Sequence, residues 1–163
     1  MRRRLMLVAI VGVLALGLVI PGASAGGVDF RAPLSHAQEV GATNAPGAHG
    51  MATFVLDGST LHYQISVKRL TGSATQAHIH APAVRGANSG IEIWLCGTAA
   101  LPGPIGTPTC STTTDGSLVT GSVAVNLTQL GWMETMQAYV NVHTAAHPGG
   151  EVRGQVLDVG GTQ

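Results

Sequence analysis

Charge is scarce in this chain. Lys and Arg together number eight, Asp and Glu another eight, and three of the cations are the consecutive Arg2, Arg3 and Arg4. No basic stripe exists elsewhere, and the two Trp, two Tyr and two Phe are scattered instead of interleaved with cations, which argues against a nucleic-acid partner. Catalytic signatures are missing as well. There is no Gly-x-Ser-x-Gly, no His-Glu-x-x-His and no Gly-rich phosphate loop ahead of a helix, so common hydrolase and nucleotide-binding readings find no support. Also absent are a βαβ alternation, a long amphipathic helix and a repeat of fixed period. Cysteine is limited to Cys96 and Cys110.

What is present begins with an export pattern. Arg2-Arg3-Arg4, an apolar run of 16 residues from Leu5 to Ile20, and Pro21-Gly22-Ala23-Ser24-Ala25 follow the order of a secretory signal. The run is short of the roughly 20 residues that span a bilayer core, and Ala23-x-Ala25 suits signal peptidase. Residues 1–25 are therefore expected to be a cleaved signal peptide and residues 26–163 one β domain, with an uncleaved anchor as the alternative. Loss of three arginines from eight leaves five cations against eight carboxylates, a formal charge of −3. No later segment is apolar enough to span a membrane. In an exported protein Cys96 and Cys110 are expected to form a disulfide, closing the Pro- and Gly-rich loop between them for about 3 kcal/mol in the chain-entropy model.

Period-two alternation rich in Val, Ile and Thr recurs at about Phe30 to Leu34, Met51 to Leu56, Leu61 to Val67, Ala77 to His80, Ile91 to Leu95, Leu118 to Val125, Gln137 to His143 and Glu151 to Leu157. Asp57-Gly58 and Asp115-Gly116 supply turn signals. Only Leu127 to Met136 has a helical look, one or two turns interrupted by Gly131. The expectation is an all-β protein: an antiparallel β-sandwich or Greek-key-like barrel of about eight strands with one short helical turn.

Three of these blocks put polar residues on one strand face: His78 with His80, Asn141 with His143, and Glu151 with Arg153 and Gln155. Such groups are costly to bury unless they pair or bind something. Two histidines at i and i+2 on a strand can reach one ion, and His143 could add a third neutral imidazole, a donor set suited to copper or zinc. The competing reading makes these histidines a structural hydrogen-bond network. Asn141, Glu151, Arg153 and Gln155 form the candidate polar or ligand-binding cluster, with Glu151 and Arg153 expected to pair as ions. His147 in the turn before Pro148, and the isolated His36, His49 and His62, read as surface residues.

Phe30-Arg31-Ala32-Pro33-Leu34 with Glu39-Val40, the Gly50 to Leu56 strand, Ala77-His78-Ile79-His80, Leu95-Cys96-Gly97, and Val140 to Thr144 running on through Pro148-Gly149-Gly150-Glu151-Val152-Arg153-Gly154-Gln155 resemble the CHRD domain, first described in chordin. The resemblance covers about Asp29 to Asp158. It implies an all-β extracellular domain without an established catalytic mechanism. The chain is accordingly expected to be a secreted, non-enzymatic binding or structural module, extracellular, periplasmic or at the cell surface, whose partner is an extracellular protein or surface ligand. The alternative is a small copper- or zinc-binding protein built on His78, His80 and His143. A comparison with copper-zinc superoxide dismutase fails, because no histidine lies between His80 and His143 to bridge two metals.

Overall fold

The computed structural model describes residues 29–41 and 44–160; the expected signal peptide, residues 1–25, lies outside the described residues. Among the described residues nine strands are formed: β1 (Phe30–Ser35), β2 (His49–Asp57), β3 (Thr60–Lys68), β4 (Ala74–His80), β5 (Ile91–Cys96), β6 (Gly116–Ala124), β7 (Tyr139–Thr144), β8 (Val152–Gln155) and β9 (Leu157–Asp158). All named pairings are antiparallel, in the order β5-β4-β7-β8-β1-β2-β3-β6, with the two-residue β9 added on β1. The two end strands, β5 and β6, approach each other, so the sheet is nearly closed. Of the two architectures expected, the barrel-like one is formed.

Strand alternation divides inside from outside. Ala77 and Ile79 of β4, Val140 and Val142 of β7, and Val152 of β8 fill the interior with Phe54, Leu61, Ile65 and Val67 from β2 and β3. Each fully buried aliphatic or aromatic side chain contributes about 1.5–3 kcal/mol. Most strand bounds shift by one or two residues from expectation, and two differ more. β4 begins at Ala74 because an irregularity between Ala74 and Gln76 lets the strand continue out of strict period. The terminal run splits, since Val156 donates its N–H to Ala138 O and leaves β8 and β9 on either side.

The helix α1 (Leu127–Glu134) continues through Gly131. Asn126 starts it with a capping box: its side chain accepts from Gln129 N, and Gln129 Oε1 accepts from Asn126 N. Cys96 and Cys110 are disulfide-bonded, tying the end of β5 to the segment that leads into β6.

Candidate functional site

The polar face announced by the alternation is the outer face of β5, β4, β7 and β8, and it is buried. His78, His80, Asn141, His143, Arg153 and Gln155 are all less than a tenth exposed although none points into the barrel interior. Register explains their meeting: His78 stands opposite Asn141 and Trp94, His80 opposite Tyr139, and Arg153 and Gln155 opposite Asn141 and Tyr139. The cover is the loop between β4 and β5. Arg153 donates to Asn88 Oδ1 at 2.9 Å and to Ala87 O at 2.6 Å, and Gln155 donates to Ala83 O at 2.8 Å and to Met136 O at 2.6 Å.

His78, His80 and His143 each place one ring nitrogen within 4.8 Å of the others. Backbone carbonyls fix two of the rings. His80 Nδ1 lies 3.1 Å from Ser89 O and His143 Nδ1 lies 3.0 Å from Pro148 O. A carbonyl only accepts, so each Nδ1 carries the proton and each Nε2 keeps its lone pair. His78 Nδ1 is 3.3 Å from His143 Nε2. Two nitrogens each about 2.0–2.1 Å from one tetrahedral ion stand about 3.3–3.4 Å apart, so this pair already has ligand spacing.

Burial lowers the proton affinity of all three rings. His78 is pushed down to about 3 by burial, reinforced by His143 and His80. His80 is lowered by burial, against backbone bonds to Ser89 and Gly90, with Arg153 adding to the effect. His143 is lowered by burial against the bond to Pro148, with His80 adding. Neutral imidazoles at neutral pH are what metal ligation requires.

Among the described residues, the buried side-chain polar atoms without a hydrogen-bond partner are Glu39 Oε1, His78 Nε2, His80 Nε2 and Asn141 Oδ1. Glu39 arrives from just after a 3-10 turn (His36–Gln38), and its Oε2 accepts from Asn141 Nδ2 at 3.5 Å. Burial pushes its carboxyl up to about 7 in spite of Arg153 and Asn141. Gly150 lets the final turn close over this pair, since at its φ of +126° a Cβ would sit 2.5 Å from the Asn141 amide and 2.8 Å from Glu39 Oε1.

Aromatic rings frame the histidines. Tyr139 is stacked on His80 at 4.8 Å between centroids and nearly parallel, and the Arg153 guanidinium lies 3.3 Å above the Tyr139 ring. Trp94 meets His78 edge-on at 4.3 Å. Trp94 is backed by Gly103 of the disulfide loop, where a Cβ would come within 2.5 Å of the indole.

Glu151 does not join this group. It accepts from Thr71 N at 2.6 Å, Thr71 Oγ1 at 2.7 Å and Thr144 Oγ1 at 2.5 Å, so the expected pair with Arg153 is replaced by a clamp between the start of β4 and the last turn. The reason is local: Glu151 precedes β8, in a bend where strand alternation does not yet hold. His147 is half-exposed and outside the imidazole group, and His62 is exposed on β3. Sequence reasoning did not single out Tyr139, Trp94 or Glu39. Tyr139 shares the period of Asn141 and His143, which was the available signal; Trp94 depends on cross-strand register, and Glu39 on the return of a distant segment.

The family model of the CHRD domain matches residues 30–156. No curated protein and no solved structure gives a match.

Proposed function

The chain belongs to the CHRD domain family, and from that premise we propose that it works outside the cytoplasm as a non-enzymatic module that binds one copper or zinc ion through His78, His80 and His143. The observation that carries this reading is the state of the three rings. They are buried, neutral and grouped, His80 and His143 have their Nδ1 anchored on backbone carbonyls, His80 Nε2 has no protein partner, and His78 Nδ1 stands 3.3 Å from His143 Nε2. A buried imidazole left in this state costs free energy, whereas anchoring through one nitrogen while the other faces a common point is the usual support of a metal-bound histidine. On binding, the His78 proton would sit on Nε2, leaving its Nδ1 lone pair beside His143 Nε2.

Export is supported by the order of the N-terminal segment, and a disulfide together with the family suits that compartment. The test is titration of tag-free protein with copper and zinc by calorimetry at about pH 7.5 and about pH 5.5, for the parent and for His78→Ala, His80→Ala and His143→Ala. One ion per chain, lost in each variant and weakened in acid, is the expected result. Absence of stoichiometric binding to the parent, with the variants merely less stable, would make the histidines a structural network.

A further inference from the structure

The charge carried by the site's surroundings bears on which ion it takes. All three donors are neutral imidazoles, and among the described residues no carboxylate or thiolate joins their group. The cation that acts on His80 is built in. Arg153 is 2% exposed and its guanidinium lies over the Tyr139 ring, which is also stacked on His80. Its anchors, Asn88 Oδ1 and Ala87 O, are uncharged, so the charge is solvated by the protein without being cancelled there. Glu39 reaches this face at Asn141, and burial holds it up to about 7, so at neutral pH it offsets Arg153 only in part; Glu92 stands exposed at the outer end of the same face, on β5. Glu151, the other buried carboxylate, is taken up by Thr71 and Thr144.

A divalent ion here would bring two positive charges into a buried, neutral donor set beside a fixed guanidinium. A monovalent ion would bring one. Removal of charge from water is costly where no counter-charge waits, and the cost grows steeply with the charge. Copper(I) is satisfied by three nitrogen donors, whereas zinc(II) in a neutral three-histidine set draws in an anionic fourth ligand such as hydroxide. Resting on the metal-binding reading above, we propose that the site is selective for copper(I) over divalent ions, and that Arg153, acting through the Tyr139–His80 stack, is a positioning and charge-setting residue for that preference.

One unit of charge at roughly 10 Å, with an effective dielectric of about 20, corresponds to a preference on the order of tenfold. The experiment is competition against chromophoric chelators for copper(I), without oxygen, and for zinc(II), together with the reduction potential of the bound copper. It is run on the parent protein, Arg153→Met and Arg153→Lys, with circular dichroism to establish folding. The parent should bind copper(I) more tightly than zinc(II). Arg153→Met should raise zinc affinity relative to copper(I) on the order of tenfold and lower the potential, while Arg153→Lys keeps the parent's ratio. Zinc bound as tightly as copper(I) by the parent overturns the inference and leaves the metal site standing; binding of neither ion removes both. Should Arg153→Met fail to fold, the parent still decides: a potential below that of copper with three imidazoles in water overturns the inference, and one above it supports it.

Discussion

At the residue scale the three buried imidazoles impose a dependence of stability on pH. Their unfolded pKa is near 6.5, while burial brings His78 down to about 3 and lowers His80 and His143 too. Below about pH 6.5 the unfolded chain therefore binds protons that the folded chain refuses, and acid favours unfolding by up to ~1.4 kcal/mol per pH unit for each ring. Glu39 acts in the opposite sense. Its folded carboxyl, raised from 4.5 to about 7, holds a proton that the unfolded group releases, so its contribution is lost as pH rises through that window. Three groups oppose one, and the balance is a loss on acidification. Metal-free protein should melt at a lower temperature at about pH 5 than at about pH 7.5. A melting temperature that stays level or rises in acid would mean that the rings are protonated in the folded state and reach water.

At the scale of elements, the alternation of β4, β7 and β8 was legible because period two needs only local sequence, and so was the sharing of a strand face by His78 with His80, by Asn141 with His143 and by Arg153 with Gln155; their union on one sheet face comes from cross-strand register. That this outer face would be buried was not legible. Its cover is a loop, and the hydrogen bonds that hold the loop down join residues some 65 to 72 positions apart. Glu39 likewise meets Asn141 across 102 positions. Glu151 was misplaced for a different reason: alternation was extended one residue too far, from β8 into the bend before it. The disulfide loop adds an element-scale consequence, because Gly103 backs Trp94 and Trp94 backs His78. Reduction of Cys96–Cys110 should lower stability by about 3 kcal/mol and, with the indole freed, weaken metal affinity although no ligand has been touched. Thermal melts and metal titration of the reduced and oxidised protein read the two effects. Undiminished affinity after reduction would confine the loop's role to stability.

At the scale of the whole molecule the nearly closed sheet separates two tasks. Apolar side chains hold the barrel from inside, and the candidate site lies on the outer face of four neighbouring strands, sealed by a loop and a turn. Loss of packing at one place and loss of a ligand at the other should then add without coupling, as they do for sites that share no partners. Ile65 of β3 is fully buried in the interior, so Ile65→Val should cost roughly 1 kcal/mol. That loss should be the same with and without metal. A ligand held at a concentration of about 100 Kd adds about 2.7 kcal/mol to the folded state, so the metal-bound form of both the parent and Ile65→Val should melt higher than the metal-free form by the same interval. His80→Ala should erase the interval whatever stands at residue 65. Paired melting curves of the parent, Ile65→Val, His80→Ala and the double variant form the required cycle. An interval that shrinks in Ile65→Val alone would show that the interior packing sets the geometry of the histidines, and that the sheet does not keep its two faces independent.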